Sequence, residues 1–366
     1  MTKEKFRKAI DIIGIPRLIV FLFFMAIVLT AYFNNIDVVS FLASTIKYWG
    51  MWGVLVLAML PSIKCGIGPN FGVSLGIVCG LLGTLLAIEF KIAERFNAFA
   101  PGTGPWASFA FAVLISAASA WLVGIGYGKL LNMVKGSEMT VTTYVGFSVI
   151  YLMCIVWFRA PFDSGGIKWL IGGRGVRNSV SLEDSFGYVL NDALKIKIGS
   201  GDTAFVIPTG LILFFLLMCL IVHLYFRSKT GLAITASGSN PAFARASGIN
   251  VDKMRVKGIA LSTILGAIGI VVYTQGFGYL QVYTAPLQMG FLCVASILIG
   301  GSTTTKATIS NVIIGTFLYQ GLIIFTPPVS NELLAGTDIS DTMRQIIQNG
   351  VILYALAKAK GGASRE

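Results

Sequence analysis

Long apolar stretches separated by short polar segments run along almost the whole chain of 366 residues. A helix needs about 20 mainly apolar residues to cross the roughly 30 Å hydrocarbon core of a bilayer. Ten stretches approach this length, so the pattern predicts about ten membrane-spanning helices. They lie near residues 17 to 33, 49 to 63, 71 to 88, 106 to 126, 141 to 158, 205 to 226, 258 to 275, 286 to 301, 308 to 325 and 345 to 357.

The composition agrees with a location in a bilayer. Hydrophobic residues make up 55% of the chain and charged residues only 12%, whereas soluble domains carry about 25% charged residues. The five cysteines have no paired spacing and the chain holds one histidine, so no disulfide framework, metal site or other cofactor is expected. The predicted fold class is an all-α polytopic membrane protein, with one transmembrane domain over residues 1 to 366.

The basic residues are distributed unevenly between alternate loops. If the N-terminus is cytoplasmic, the cytoplasmic segments hold 18 of the 28 Lys and Arg but only 5 of the 16 Asp and Glu. Lys and Arg accumulate in the cytoplasmic loops of membrane proteins. The pattern therefore predicts that both termini are cytoplasmic. The net charge of +12 is then explained by basic loops on the cytoplasmic face, next to membrane lipid. Nucleic acid is not an expected partner.

The predicted spans are nearly free of ionisable side chains, with Arg17 at the edge of the first. Proton-driven carriers usually keep such groups at membrane depth because the groups bind and release the ion. An intramembrane enzyme is disfavoured for the same reason. No segment has the G-x-x-x-x-G-K-[ST] spacing of a nucleotide loop. The chain is therefore not expected to be an enzyme or to bind ATP itself.

Three glycines spaced by four residues open the third predicted span. The spacing of Gly72, Gly76 and Gly80 predicts a helix face that a neighbouring backbone can approach closely.

The segment from residue 227 to 257 carries the signals of a short helix between two spans. Asn240 can cap this helix, Pro241 suits its first position, and Gly248 can end it in a left-handed turn. Its body is kept slim by three alanines, Ala242, Ala244 and Ala246. A slim helix can fit a groove in another protein, but the same shape also suits an interfacial loop helix.

The run from Gly238 to Val251, GSNPAFARASGINV, resembles the cytoplasmic loop of ABC importer permeases for simple sugars, nucleosides and branched-chain amino acids. In those proteins G-x-N-x-x-A-A-x-x-x-G-I-N-V is typical, and the resemblance covers most of residues 205 to 357. The ATPase-coupling residues that it implies are Asn240, Pro241, Ala242, Ala244, Arg245, Ala246, Gly248, Ile249 and Asn250.

Membership of this family implies a permease subunit in the bacterial plasma (inner) membrane. It also implies three kinds of protein partner, which are ABC ATPase subunits, a second permease subunit that is identical or related, and an extracytoplasmic solute-binding protein. The mixed charge of the predicted extracytoplasmic segment, residues 159 to 204, suits docking of a soluble partner but also a solvated loop.

Two further features concern the solute. Residues 65 to 74 lack the acid of the ribose-type G-G-I-D-L-S-x-G turn, and Gly136 to Thr143 is similar to the G-x-N-E-V-x-S-T segment of the nucleoside branch. Asn70, Gln275 and Gln288 lie near breaks in the spans, where they can line a path or cap a helix. The hypothesis is an ATP-driven importer of a simple sugar or nucleoside that works by alternating access. The alternative is an ion-coupled secondary carrier for a small polar solute.

Overall fold

Long helices dominate the computed structural model, which describes residues 15–164, 166–168, 176–198, 205–333, 342–346, 349–350 and 353. The helices are α1 Ile15–Phe33, α2 Val38–Leu57, α3 Met59–Lys64, α4 Ser74–Glu89, α5 Ile92–Phe99, α6 Gly104–Met133, α7 Glu138–Arg159, α8 Val189–Asp192, α9 Thr209–Arg227, α10 Lys229–Ser239, α11 Pro241–Ala246, α12 Val251–Phe277, α13 Ala285–Ile299 and α14 Ile309–Leu333. A 3₁₀ turn, Phe71–Val73, precedes α4.

Two small antiparallel sheets complete the described elements. Strand β1 Ser179–Ser181 pairs with β4 Tyr279–Gln281, and β2 Ile196–Ile198 pairs with β3 Phe205–Ile207. The first sheet joins the segment after α7 to the turn after α12.

Nine apolar helical segments are found among the described residues. Seven are long and apolar enough to cross a membrane, and two are shorter, Arg17–Phe33 and Met289–Ile299. These nine coincide with the first nine predicted spans, so the all-α polytopic fold class is confirmed. The tenth predicted span, residues 345 to 357, lies almost wholly outside the described residues. The seven long segments are Val38–Lys64, Phe71–Glu89, Gly104–Met133, Glu138–Arg159, Thr209–Arg227, Val251–Phe277 and Ile309–Leu333.

Several predicted boundaries are wrong, most of them because a helix runs beyond its predicted span: α6 ends at Met133 rather than 126, and α12 begins at Val251 rather than 258. The second span begins at Val38 rather than 49, because the Asp37 carboxylate accepts a hydrogen bond from the Ser40 amide and caps the helix. Lys47 therefore lies inside a spanning segment, contrary to the expectation that the second span holds no ionisable side chain. The sixth span begins at Thr209, because residues 205 to 207 pair as β3.

Helix α12 lies at the centre of the bundle and packs against α2, α4 and α6. Glycines provide the close approaches. A Cβ added to Gly124 of α6 would lie 2.8 Å from the Cα of Ala260, and one added to Gly128 would lie 2.9 Å from the Cα of Val256. Added Cβ atoms on Gly76 and Gly80 of α4 would clash with backbone oxygens of α12. The predicted packing role of these two glycines is confirmed.

The segments predicted to be cytoplasmic meet at one end of the bundle, which we call the basic end and define as residues 64–70, 129–138, 227–257 and 300–306. The Nζ of Lys64 lies 4.4 Å from the centroid of the Phe226 ring. Gly66 packs against Gly238, and Gly301 packs against Arg17. Described loops that the charge pattern assigns to the same side of the membrane thus lie together in the folded chain.

We expect Gly76→Ala to loosen the contact between α4 and α12. The new methyl group would meet the Thr263 carbonyl oxygen, and overpacking of this kind costs about 1 to 3 kcal/mol. The matched control is Gly126→Ala in α6, where no atom lies within 4 Å of the added Cβ. Thermal unfolding of both purified variants in detergent measures the difference, and equal midpoints would contradict the packing role.

Candidate coupling surface and solute cavity

Helix α11 forms as its sequence signals predict. The Asn240 side chain accepts a hydrogen bond from the Phe243 amide at 3.0 Å, and Pro241 occupies the first helical position. Gly248 ends the helix at φ +79°, in the left-handed region. The amide of Ile249 then donates to the Ala244 carbonyl at 2.9 Å, and Asn250 caps α12 through the Lys253 amide at 2.9 Å.

Burial divides the predicted coupling residues. Seven are exposed and Ile249 is half-buried, but Ala244 is fully buried. Ala244 therefore faces the protein's own interior, so it is not available for contact with a partner in this conformation, and its coupling role stays a prediction. Its neighbour Phe243 is 67% exposed. The seven exposed residues are Asn240, Pro241, Ala242, Arg245, Ala246, Gly248 and Asn250.

Charged contacts fix the start of α12 beside α6 and α7. Arg255 forms an ion pair with Glu138, and both side chains are nearly buried. The Nζ of Lys135 lies 2.6 Å from the Asp252 carboxylate, and Asn132 donates to the Asp252 carbonyl at 2.9 Å. A buried ion pair whose partner is lost leaves an uncompensated charge, which is strongly destabilising. These contacts hold the first turns of α12 against α6, α7 and the loop that joins them.

Asn70 is fully buried, and both ends of its amide are hydrogen-bonded. Its Nδ2 donates to Ser262 at 3.0 Å, and its Oδ1 accepts from the Tyr127 hydroxyl at 3.0 Å. Ser262 in turn donates to the Ala58 carbonyl at 2.7 Å. In this conformation Asn70 holds the 3₁₀ turn, α6 and α12 together, and its predicted role on a solute path stays a prediction.

Gln275 is also fully buried. Its Oε1 accepts from the Leu190 amide at 3.1 Å, and its Nε2 donates to the Asn191 side chain at 3.3 Å. These bonds tie the end of α12 to α8, within the segment that follows α7. Gln288 is part of α13, and its side chain lies outside the described residues. A path role for either glutamine remains a prediction.

A cavity of about 440 Å³ lies between α2, α12, α13 and α14, in the size range of small-molecule pockets. Aromatic rings form much of its wall. The centroids of Trp52 and Tyr273 are 5.2 Å apart, those of Tyr273 and Phe277 are 5.2 Å apart, and those of Tyr48 and Phe277 are 6.0 Å apart. Flat rings in this arrangement can stack on a planar solute.

Polar groups accompany the rings. Ser44, Gln320 and Arg344 also line the cavity, as does Tyr319. The buried hydroxyl of Tyr319 has no hydrogen-bond partner among the described residues. An unsatisfied buried donor is costly unless a ligand or water pairs with it. Nowhere in the described residues do three His, Cys, Asp or Glu side chains gather to hold a metal ion.

Sequence reasoning missed Phe243 and the aromatic cavity. The signal for Phe243 was a large apolar residue among small ones in a segment outside the spans. The cavity rings had no local signal, because they come from helices far apart in the chain and each resembles an ordinary core aromatic residue.

The fold is that of a polytopic helical membrane protein, with the short capped helix α11 at its basic end. A family model described as the permease component of branched-chain amino acid transport systems matches residues 41–356. The chain belongs to this family and is a permease subunit of an ABC importer.

Two curated relatives carry functional names. A nucleoside ABC transporter permease protein from Lactococcus lactis subsp. cremoris (strain MG1363) is 27% identical over 270 residues, which cover 72% of this chain and 79% of that protein. A tyrosine transport system permease protein from Clostridioides difficile (strain R20291) is 28% identical over 125 residues, which cover 32% of this chain and 41% of that protein. No solved structure matches the chain significantly.

Asn70→Ala should destabilise the folded protein, because it leaves the buried Tyr127 hydroxyl without its acceptor. An unsatisfied buried group costs about 1 to 3 kcal/mol. Asn34→Ala is the control, since Asn34 is exposed and bonds only within its own turn. The measurement is thermal unfolding in detergent beside uptake per folded molecule. Unchanged stability with lost uptake would instead favour the path role of Asn70.

Proposed function

We propose that this permease imports a nucleoside, and that the aromatic cavity lies on the route of its base. The main observation that supports this proposal is the cluster of four aromatic side chains around a cavity of about 440 Å³, namely Tyr48, Trp52, Tyr273 and Phe277. Stacking of a base on an aromatic side chain is worth about 1 to 3 kcal/mol. A simple sugar has no planar ring to stack, so the cavity favours the nucleoside over the sugar.

Two further observations support this solute. The Tyr319 hydroxyl, which has no partner among the described residues, and the Gln320 amide offer hydrogen bonds to ribose hydroxyls or base edges. The Lactococcus lactis relative, of which the match covers 79%, is named for nucleoside transport. A separate binding protein would select the solute outside, and the cavity would hold it only weakly, because tight binding slows release.

The coupling part of the proposal concerns α11 and its flanks. We infer that Phe243 and its exposed neighbours dock into a groove of an ABC ATPase subunit, in a complex with a second permease subunit. A large ring at the centre of small exposed residues is typical of an interface anchor. The basic end would then face the cytoplasm, with both termini on that side, and ATP-driven closure of the ATPase pair would move α12.

The solute is tested by uptake into proteoliposomes that contain the permease, its ATPase and its binding protein. We expect ATP-dependent uptake of a labelled nucleoside, with ribose and tyrosine not transported. Tyr273→Ala should lower nucleoside uptake by about tenfold through lost stacking, whereas Tyr273→Phe should keep most of it. Tyr32→Ala, an exposed site outside the cavity, is the control.

Preferential uptake of ribose or tyrosine would overturn the nucleoside assignment. Uptake that continues without ATP while an ion gradient persists would support the secondary carrier instead.

Phe243→Ala should weaken binding of the ATPase without harming membrane insertion. Loss of an anchor of about 2 kcal/mol corresponds to roughly a thirtyfold fall in affinity. Phe99→Ala is the matched control, because Phe99 is 90% exposed and lies outside the basic end. The readout is co-purification of the ATPase together with transport-coupled ATP hydrolysis. If both variants bind the ATPase like the wild type, α11 is not the coupling element.

Ala244→Glu should affect folding rather than docking of the ATPase. Because Ala244 is buried, we expect this change to lower folding yield, so it cannot report on docking. Ala246→Glu, at an exposed position, is the informative charge substitution.

A further inference from the structure

A second cavity, a groove of about 770 Å³, opens on the flank of the bundle between α6, α9 and α12 near the basic end. The apolar part of its wall includes Trp121, Ile125, Leu261 and Ile264. Trp121 is 53% exposed, and the other three are half-buried. These residues belong to helices long and apolar enough to cross the membrane, so the groove lies along a face that meets hydrocarbon.

The mouth of the groove is strongly basic. Lys129, Lys253 and Lys257 line it, and all three are exposed. The carboxylate of Asp252 is also at the mouth, but it already pairs with Lys135 at 2.6 Å. The three lysines therefore present positive charge that the neighbouring carboxylate does not neutralise.

The distance from the charges to the apolar wall suits an amphipathic ligand. Lys129 lies eight positions after Trp121 on α6, and Ile264 lies seven positions after Lys257 on α12. At 1.5 Å per helical residue these spacings are about 12 Å and about 10 Å. A headgroup held by the lysines would thus place an acyl chain along the apolar wall.

We propose that this groove binds an anionic phospholipid, with its phosphate on Lys129, Lys253 and Lys257 and one acyl chain against Trp121 and Ile264. Basic pockets between membrane helices near the cytoplasmic face bind anionic headgroups in this way. A second copy of the chain is a poorer occupant, because a two-fold contact centred on the groove would bring two sets of three lysines into one interface.

The full-length permease, purified in detergent, is incubated with equal amounts of phosphatidylglycerol and phosphatidylcholine, and retained lipid is measured by native mass spectrometry. We expect the wild type to retain phosphatidylglycerol at least tenfold over phosphatidylcholine. The triple variant Lys129→Gln, Lys253→Gln and Lys257→Gln should retain both lipids about equally, because each lysine near the surface contributes substantially to the attraction.

A matched control removes three charges from the same end but outside the groove, through Arg227→Gln, Lys229→Gln and Lys306→Gln. It should keep the lipid preference. A second measurement does not depend on the triple variant's folding. Phosphatidylglycerol with brominated acyl chains should quench wild-type tryptophan fluorescence more than that of Trp121→Phe.

The proposal is overturned if the groove variant keeps the wild-type preference, or if the control loses it equally, since the attraction would then be diffuse. Equal quenching in the wild type and Trp121→Phe would also count against it. So would a disulfide that joins two copies of the variant Ile125→Cys, because a second copy would then occupy the groove.

Discussion

The close approach of other helices to α12 is the constraint on which this structure depends. Lipid tails are as apolar as leucine, so burial of apolar side chains alone does not drive helices together in a membrane. Association relies on van der Waals contact and on interhelical hydrogen bonds. Glycines at 76, 80, 124 and 128 let backbones pack directly on α12, and the network of Asn70, Tyr127 and Ser262 adds hydrogen bonds at the same junction.

Because α12 is both central and continuous, it connects the two ends of the molecule. Its first turns carry the ion pair of Arg255 with Glu138 and adjoin α11. Its last turns hold Gln275, which anchors α8. A helix of 27 residues spans about 40 Å, so α12 reaches from the neighbourhood of α11 to the opposite end of the bundle. Under the proposed coupling role of α11, α12 would be the element that connects the ATPase with the aromatic cavity.

Helix α11 shows which structural features depend on neighbouring residues alone and which do not. The cap at Asn240, the proline at the first helical position and the left-handed glycine at 248 were predictable, because each depends only on a few neighbouring residues. Which side of the resulting helix is free was not predictable. Ala242, Ala244 and Ala246 are chemically alike, yet only Ala244 is buried, since its burial depends on the elements that pack beside it.

Local sequence patterns were enough to predict the all-α polytopic class, nine of the spans and the short capped helix. These features follow from hydropathy, charge bias and turn chemistry, which act over fewer than about 25 residues. The permease family was indicated separately, by the resemblance of residues 238 to 251 to a known loop. The folded structure was needed to show that Asn70 and Gln275 form internal hydrogen bonds, that Phe243 is exposed, and that Tyr48, Trp52, Tyr273 and Phe277 surround one cavity. Those outcomes depend on contacts between residues far apart in the chain, such as Tyr48 and Phe277, and no local pattern records which helices become neighbours.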